Sequence, residues 1–381
     1  MKIKCTQENL SKGLSVVNKA VSAKISLPIL GNILFDAKNG VLTLSSSNLE
    51  TSISASFNAV VEENGAVAVP ARMFTEFITN LPAESLEIFT EKNNIKLICG
   101  ESGAEVCSAK FACMSAEDFP TMPTVKKGVR VNLNNKEFSL AVLYSSFCAA
   151  VGDSRPALTG VLLKKEGENL AVVATDGYRL TEKNISLSGD SSESADFSLL
   201  VPAKTLAEAV RIFLSLGEDI GLTYSESENL AVFECGQVLV AIRILDGEFP
   251  DYKRIIPTNF TLTAHSKNAD LWQAIKTVSV FAKDAKEGNS LLRVSLDPVG
   301  ECIVSSSSQQ SGEGSAKIKM EVESPQPVSL AFNSKYLLDF FNSVKSEDLD
   351  IYSAGEASPC VFKSPQINDF LHLIMPVKLN S

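Results

Sequence analysis

The stretch VPARMFTEFITNL at Val69–Leu81 decides the fold, because related stretches follow it twice. VPAKTLAEAVRIFL begins at Val201, 132 residues after Val69, and AFNSKYLLDFFNSV begins at Ala331, a further 130 residues along the chain. Each stretch has apolar residues at the three- and four-residue spacing of one short amphipathic helix. A repeat at a nearly fixed spacing predicts three copies of one structural unit.

The segments around each short helix repeat as well. After each helix comes a short acidic turn, and then apolar and polar residues alternate with the period of two that is typical of half-buried strands. A longer helix and further strands are predicted ahead of each short helix. The strands predicted after the short helices are 86–89, 95–99 and 106–111, then 220–224, 230–235 and 238–245, then 349–352, 360–363 and 370–375. The apolar rows of the longer helices are Leu10, Leu14, Val17 and Val21, then Phe138, Val142, Ser145 and Ala149, then Leu271, Ile275, Val278 and Phe281.

Three equal copies of a 381-residue chain would have about 127 residues each, which fits the observed spacing. Prolines mark the two boundaries, so the predicted domains are 1–127, 128–257 and 258–381. Tight turns such as Lys38-Asn39-Gly40 favour antiparallel sheets, and two helices on antiparallel strands give each copy an α+β fold. The serine-rich segments 186–198 and 305–315 are predicted to be exposed loops.

The composition is that of a folded protein, with 45% hydrophobic residues and a formal net charge of -10. The chain has neither a signal-peptide pattern nor 18 consecutive apolar residues, so we expect a cytoplasmic protein without a membrane partner. Its eight cysteines lack a C-x-x-C pair and are expected to be reduced and buried. They are Cys5, Cys99, Cys107, Cys113, Cys148, Cys235, Cys302 and Cys360.

No pattern for catalysis or for cofactor binding is evident. The chain lacks the phosphate-binding loop, the dinucleotide fingerprint, the zinc-protease motif and the serine-hydrolase elbow. We expect His265 and His372 to lie on the surface or on a sheet face rather than to act as catalytic bases. Asp176 and Asp246 each precede a glycine, so they are expected to form turns, and a pair of catalytic carboxylates is the alternative. The prediction is therefore no catalytic residue, no cofactor and no metal.

Charge is distributed unevenly between the helices and the rest of the chain. The six predicted helices, 8–22, 71–80, 136–149, 203–214, 268–286 and 334–344, have ten basic and seven acidic residues, or about +3. The remaining 25 basic and 38 acidic residues give about -13. Taken alone, this modest difference favours a solvated helix face over a basic patch. Three copies with all helices in one layer would, however, bring the cations to a common surface that could hold a polyanion loosely.

Several motifs make the chain resemble the family of the bacterial replicative sliding clamp, the beta subunit of DNA polymerase III, over its whole length. They are LPILGN at 27–32, VPAR at 69–72, RPALTGV at 155–161, ATDGYRL at 174–180, DGEFPDYKRIIP at 246–257 and IMPVKL at 374–379. The resemblance implies a head-to-tail homodimer whose six domains close a ring, with twelve helices around a hole for duplex DNA. It also implies that the edge strand near 106–112 pairs with the third domain of the partner, where Lys286 and Glu287 replace apolar residues of some clamps.

The resemblance further implies a pocket for a short partner peptide, commonly of the type Gln-Leu-x-Leu-Phe. Its apolar floor would suit such a ligand, and Arg179 and Arg254 could hold the polar end of the peptide. Tyr178 departs from the histidine of some members. The implied pocket residues are Leu158, Thr175, Gly177, Tyr178, Arg179, Leu180, Pro250, Arg254, Ile255, Asn333, Tyr336, Leu373, Met375 and Pro376.

Basic residues are the expected DNA contacts. Gly152 lies where some clamps have a polar contact. The implied DNA-binding residues are Lys24, Lys12, Lys19, Arg72, Lys136, Lys204, Arg211 and Lys276.

We therefore expect a non-enzymatic processivity factor that encircles double-stranded DNA without sequence preference. Its expected partners are a second copy of itself, the alpha subunit of DNA polymerase III, the clamp loader complex, and other DNA polymerases and repair proteins. The alternatives are a clamp-like factor specialised for repair polymerases, and an α+β enzyme that uses Asp176 and Asp246.

Overall fold

A computed structural model of the chain describes residues 1–22, 27–100, 106–152, 155–189, 191, 195–282, 291–308 and 312–378. These residues repeat one order of elements three times: a strand, a first helix, four or five strands, a second helix and three strands. The first helix is the one that the sequence predicts to be longer, and the names longer and shorter are kept for the two positions. In the second copy the lengths are reversed, because the first helix has 11 residues and the second has 14. The first copy consists of β1 (Lys2–Thr6), α1 (Gln7–Val17), β2 (Asn32–Lys38), β3 (Val41–Ser47), β4 (Thr51–Asn58), β5 (Val60–Glu63), β6 (Gly65–Pro70), α2 (Ala71–Thr79), β7 (Ser85–Glu91), β8 (Asn94–Cys99) and β9 (Cys107–Ala112).

The second and third copies follow the same order. The second consists of β10 (Val129–Leu133), α3 (Asn135–Ser145), β11 (Gly160–Glu166), β12 (Asn169–Thr175), β13 (Arg179–Ser186), β14 (Phe197–Pro202), α4 (Ala203–Leu216), β15 (Ile220–Ser225), β16 (Leu230–Cys235) and β17 (Val238–Arg243). The third consists of β18 (Leu262–Lys267), α5 (Asn268–Ala282), β19 (Leu291–Asp297), β20 (Glu301–Ser308), β21 (Gly312–Lys319), β22 (Glu321–Glu323), β23 (Val328–Asn333), α6 (Ser334–Ser343), β24 (Asp348–Ser353), β25 (Cys360–Lys363) and β26 (Phe370–Ile374).

The strands form four antiparallel sheets in two compact units. One unit comprises 1–136 with 208–244, and its sheets have the orders β5-β1-β7-β8-β9 and β10-β15-β16-β17-β4-β3-β2-β6. The other comprises 137–207 with 245–381, and its sheets have the orders β14-β11-β12-β13-β26-β25-β24-β18-β22 and β21-β20-β19-β23. The α+β class with antiparallel sheets is therefore confirmed, whereas the domain bounds 1–127, 128–257 and 258–381 stay a prediction.

The turns have the backbone that their residues favour. Asn39 and Gly40 both have positive φ, of 52° and 79°, between β2 and β3. Two such residues suit the tight turn whose twist matches that of the flanking strands, and asparagine and glycine adopt it at least cost. The antiparallel hairpin predicted at this position is thus present.

The same polar contact begins each longer helix. The side-chain amides of Gln7, Asn135 and Asn268 donate hydrogen bonds to the carbonyl oxygens of Ile78, Phe213 and Ser346, at 2.8, 2.7 and 3.0 Å. Each acceptor lies in or just after the shorter helix of the same copy. Because all three amides are buried, these bonds satisfy groups that would otherwise be costly to bury. They tie the two helices of each copy together, and the sequence pattern did not indicate them.

Two predictions about local structure were wrong. The segment 305–315 was expected to be a loop, but Ser305–Ser308 belong to β20 and Gly312–Ser315 to β21. Four consecutive serines at the end of β20, and two glycines and one serine at the start of β21, hide the alternation that identifies half-buried strands. The longer helices also end early: α1 ends at Val17 and α3 at Ser145, and each continues as a short 3-10 turn, Asn18–Ala20 and Ser146–Cys148.

The buried side chains agree with the predicted apolar rows. Leu10, Leu14 and Val17 of α1 are fully buried, and so are the matching residues of α3 and α5 as far as Ser145 and Val278. No helix among the described residues combines the length and the apolar character needed to cross a membrane. Six of the eight cysteines are buried, and Cys107 and Cys113 are half-buried.

Candidate functional site

Two paired strands in the middle of the nine-stranded sheet position the predicted pocket. In the β13–β26 ladder, Leu180 lies opposite Leu373. Both side chains are fully buried in an apolar cluster that Met375 joins as a partly buried member. The other buried members of this cluster are Leu162, Val173, Leu200, Tyr252 and Val361. Three of the predicted pocket residues, Leu180, Leu373 and Met375, therefore lie together as part of the core. The pocket itself stays a prediction.

A tight turn between β12 and β13 presents Tyr178. The Thr175 hydroxyl donates to the Arg179 carbonyl at 2.7 Å, and the Gly177 N–H donates to the Thr175 hydroxyl at 3.0 Å. Gly177 has φ +91°, a conformation that favours glycine. Asp176 Oδ1 accepts from the backbone N–H groups of Tyr178 and Arg179 at 2.9 and 3.0 Å. The turn is thus rigid, and it leaves the Tyr178 ring 62% exposed beside the apolar cluster.

Arg179 is buried and directs its donors into the chain itself. Its Nε lies 3.0 Å from Asp176 Oδ2, and one terminal nitrogen lies 2.8 Å from Asp339 Oδ2. The other terminal nitrogen donates to the Phe147 carbonyl at 3.0 Å, and the guanidinium lies 4.6 Å from the centre of the Tyr336 ring. Since only 6% of the side chain is exposed, Arg179 holds the turn in place rather than offering a charge at the surface.

The connector between β17 and β18 forms the rim of the site. Tyr252 is buried, and its hydroxyl donates to Glu182 Oε1 at 2.9 Å, which anchors the connector on the sheet. Pro250, Arg254 and Ile255 are exposed. Arg254 is 84% exposed and pairs with Asp251 at 2.6 Å. Of the two predicted arginines, Arg254 is therefore the one that a ligand can reach.

The remaining predicted pocket residues lie on several other elements of the same unit. Asn333 caps α6, and its side-chain oxygen accepts from the Lys335 N–H at 3.0 Å. Leu158 is buried in the 3-10 turn Pro156–Thr159, and the Met375 N–H donates to the Tyr178 carbonyl at 2.8 Å. Pro376 is half-buried just after β26.

The groups on the helix side of the same ladder are inert. His372 is fully buried, its Nδ1 lies 2.8 Å from the Thr181 hydroxyl, and its ring stacks on Phe340 with centroids 4.6 Å apart. Burial holds the pKa of His372 well below its usual value and raises the pKa of the adjacent Cys148 thiol to about 12. Both groups are therefore neutral near pH 7, and because both side chains are fully buried, a substrate in solution does not reach them.

The enzyme alternative finds no support in these contacts. Asp176 is committed to its own turn and to Arg179, as the turn interpretation of Asp-Gly predicts. In the described part of the chain, no three His, Cys, Asp or Glu residues lie together in a way that could hold a metal ion.

The predicted DNA-contacting cations lie on the outer faces of the helices. Within each unit their side chains are exposed: Lys12, Arg72, Lys136 and Arg211 in one, Lys204 and Lys276 in the other, while Lys19 follows α1 in its 3-10 turn. Lys12 pairs with Glu8 at 2.7 Å. Lys24 lies outside the described residues, as do Lys286 and Glu287.

Family models for the three domains of one protein match the chain in succession. The DNA polymerase III beta subunit N-terminal domain matches residues 1–123, its central domain 132–251 and its C-terminal domain 253–378. Together these matches span nearly the whole chain.

Individual relatives and structures agree with the domain matches. The chain is 29% identical to the beta sliding clamp of Synechocystis sp. over 397 residues, which cover 100% of both chains. It is 28% identical to a beta sliding clamp of Staphylococcus aureus over 370 residues, 94% of both chains. The sliding clamp structure of Bacillus subtilis superimposes with a TM-score of 0.90 at 23% identity, and a Pseudomonas aeruginosa clamp bound to griselimycin with 0.89 at 22%, both over 100% of each chain. The fold is thus the three-domain clamp fold.

Proposed function

The chain belongs to the DNA polymerase III beta subunit family, and from that premise we propose that it closes into a ring around duplex DNA and tethers a DNA polymerase there. It is a sliding clamp, a non-catalytic processivity factor whose partners are DNA and polymerase. The observation that carries this conclusion is the match of all three family domains in order along the chain. A tethered polymerase that releases the primer end stays at high effective concentration and rebinds before it diffuses away.

Two chains joined head to tail would complete the ring. Such contacts are heterologous, and they close when the rotation between subunits returns to the start. In this proposal the domains are 1–127, 128–257 and 258–381, and six of them surround the DNA. The strands β9 and β21 each lie at the end of a sheet, where an unpaired edge is open to another strand.

The exposed helix cations are the proposed DNA contacts. The net charge of -10 repels DNA from most of the surface, so a loose hold requires local positive charge. Lys204 and Arg211 lie seven residues apart on α4, which places both on one face, and both side chains are exposed. Contacts of this kind with phosphates are independent of sequence and permit sliding.

Reversing the charge at these two positions tests the DNA contacts. We expect Lys204→Glu with Arg211→Glu to weaken binding to a short duplex and to reduce the slope of log affinity against log salt by about 1 to 2, because up to two phosphate contacts are lost. Fluorescence anisotropy over a series of salt concentrations measures both quantities. The matched control is Lys92→Glu with Lys127→Glu, which changes the net charge equally at exposed positions outside the helices. An equal effect of both pairs would contradict the assignment.

Partner proteins are proposed to bind the pocket built around the β13–β26 ladder. Tyr178, Ile255 and Arg254 are its accessible groups, and the buried leucines form its base. An apolar peptide end would cover the first two, and an acidic flank would meet Arg254. The alpha subunit of DNA polymerase III, the clamp loader complex, and other DNA polymerases and repair proteins are the proposed users of this site.

Truncating the exposed rim tests the pocket. We expect Tyr178→Ala with Ile255→Ala to weaken a Gln-Leu-x-Leu-Phe peptide by about 10- to 100-fold, because two apolar contacts that exclude water are removed. Both side chains are partly exposed, 62% and 44%, so the melting temperature should change little. Isothermal titration calorimetry gives the affinity, and Val299→Ala, at a 79% exposed position, is the control. Unchanged affinity would place the peptide site elsewhere.

The proposed setting is the cytoplasm, where bacterial DNA is replicated. A clamp specialised for repair polymerases would share this fold, and no contact in the described residues favours it over the replicative function.

A further inference from the structure

Two junctions between copies inside the chain are built from equivalent strands. The last strand of the second copy, β17, pairs antiparallel with β4 of the first. The last strand of the third copy, β26, pairs antiparallel with β13 of the second. In both junctions, the last strand of one copy pairs with the third strand after the longer helix of the preceding copy. Two equivalent strands do not take part in these junctions: β9, the last strand of the first copy, and β21, the third strand after the longer helix of the third copy. Both lie at the ends of their sheets.

The ladders fix which residues of β9, β17 and β26 are equivalent. Lys2, Arg130 and Thr263 each lie five residues before the amide that begins the longer helix. Crossing the ladders strand by strand leads from Lys2 to Phe89, Lys96 and Lys110. The same path leads from Arg130 to Ala241 and from Thr263 to Leu373. Lys110, Ala241 and Leu373 are therefore equivalent.

The other partner strands align in the same way. Ala68, Leu200 and Ala331 each lie three residues before the shorter helix. Their ladders lead to Ser54 of β4, Glu182 of β13 and Ser315 of β21. Positions two residues earlier, Ser52, Leu180 and Glu313, are therefore equivalent too.

Both junctions within the chain use one register. Ala241 lies opposite Ser52 in the first, and Leu373 lies opposite Leu180 in the second. The equivalents in β9 and β21 are Lys110 and Glu313. The same register applied to two chains thus sets a lysine against a glutamate, which are opposite charges in a directly facing pair.

We infer that a second copy of the chain docks β9 against β21 in this register, with Lys110 opposite Glu313 of the partner subunit, and that this charge pair selects and holds the seam of the ring. The inference rests on the proposed ring and adds the residues that close it. At the equivalent positions, the junction in the nine-stranded sheet has two buried leucines instead. The seam is therefore polar where that junction is apolar.

The surroundings of β21 support a polar seam. Glu313, Gly314 and Ser315 border an open hollow of about 570 Å³, which Arg293 and Ser305 also line. At the equivalent positions of the second copy, Leu162 and Val173 are packed against connector residues that include Leu245 and Tyr252. No connector covers the hollow in the third copy among the described residues, so this face of β21 is open to water in the single chain.

The helix side of β21 needs no large side chain from a partner. A Cβ at Gly314 would clash with the Phe281 ring, so this position is already covered by a residue of α5. In the inferred register the half-buried Phe111 faces Gly312 of the partner subunit, and an aromatic ring opposite an edge glycine covers its bare backbone. Charged edges also resist pairing with unrelated strands, while complementary charges accept the correct one.

A disulfide reports the register directly. Cys107 faces Ala316 of the partner subunit in the inferred pairing. The equivalent pair in the β17–β4 junction is Val238 and Ala55. Backbone hydrogen bonds join Ser56 to Gln237 and Arg243 to Glu50, so every second facing pair is hydrogen-bonded and Val238 with Ala55 is a pair that is not. Facing residues at such sites have Cα atoms about 4.5 Å apart, within the range of a disulfide. Both Cys107 and Ala316 are half-buried.

We expect Ala316→Cys to form a covalent dimer with native Cys107 when the dimer is treated with diamide, which takes up the two hydrogens of the two thiols. Non-reducing gel electrophoresis gives the yield. Ser315→Cys is the matched control, because Ser315 faces Ser108 on the other side of the strands and should give no dimer. Ala316→Cys with Cys107→Ser should likewise give none. Cross-linking by Ser315→Cys in place of Ala316→Cys would overturn the register.

Charge reversal tests the pair itself. Lys110→Glu or Glu313→Lys alone is expected to raise the dimer dissociation constant by about tenfold, because like charges then face each other at both seams. The double reversal should restore it, and added salt should weaken the wild-type dimer. Analytical ultracentrifugation measures each constant. If neither reversal changes the dimer dissociation constant and the protein is still retained on circular DNA, the charge pair is wrong and the ring is unaffected. If the wild-type protein is a monomer at every concentration, both the charge pair and the ring are wrong.

Discussion

Cutting a circular DNA is expected to release the loaded protein almost completely, while the intact circle retains it. A ring around the duplex is held by topology, so it leaves only by opening or by sliding off an end. A protein that binds through 6 to 10 phosphate contacts instead loses about 10³- to 10⁵-fold in affinity between low and moderate salt, whatever the shape of the DNA. With a net charge of -10 and few exposed helix cations, this chain has little capacity for such direct binding.

The experiment compares one DNA in three forms. The protein is loaded with ATP and a clamp loader onto a nicked circle, washed in high salt and separated from free protein by gel filtration. A single restriction cut should then release it, and the same cut should not release it when bulky proteins block both new ends. Equal loss from the intact and the cut circle would exclude encirclement. The disulfide-closed Ala316→Cys dimer, once formed around the circle, should resist even longer washing.

The repeats could be predicted because their signal is local. The shorter helices begin at Ala71, Ala203 and Ser334, as expected, because their apolar spacing and preceding strands recur in the sequence. The strands at 305–315 were missed because β20 ends in four serines and β21 begins with two glycines and one serine among its first four residues, so the period of two disappears. Early helix ends were missed for a related reason, since a 3-10 turn continues the same apolar row.

The candidate site was only partly accessible to sequence reasoning. Leu180, Leu373 and Met375 do lie together, as the resemblance implied. The burial of Arg179 could not be foreseen, because its partner Asp339 is 160 residues away and on a different element. The register of β9 with β21 was hidden for the same reason: it follows from ladders that cross the whole chain, and no local pattern contains it.

Removing the buried guanidinium is expected to be the most destabilising single change in the pocket region. Arg179→Ala should lower the free energy of unfolding by about 3 kcal/mol, because Asp176 and Asp339 lose their partner while still partly shielded from water. The Phe147 carbonyl also loses its donor, and the Tyr336 ring loses the cation above it. Urea unfolding followed by circular dichroism, with hydrogen exchange at β13, measures the loss.

Arg254→Ala is the matched control, because Arg254 also pairs with an aspartate three residues away but is 84% exposed. Its loss should cost at most about 0.5 kcal/mol, as water replaces an exposed ion pair at little cost. If the two variants were equally stable, Arg179 would not be holding the turn.

Arg179→Ala and Arg254→Ala should also differ in their affinity for the partner peptide, because the two arginines have different roles in the site. Arg179 is only 6% exposed, yet its contacts hold the turn that presents Tyr178, so Arg179→Ala should weaken the peptide through a loosened turn. Arg254→Ala should leave the fold intact and weaken only peptides with an acidic flank. A variant that lowered stability without affecting the peptide would mean that Tyr178 keeps its position without the turn, and the rigid-turn explanation of the site would fail.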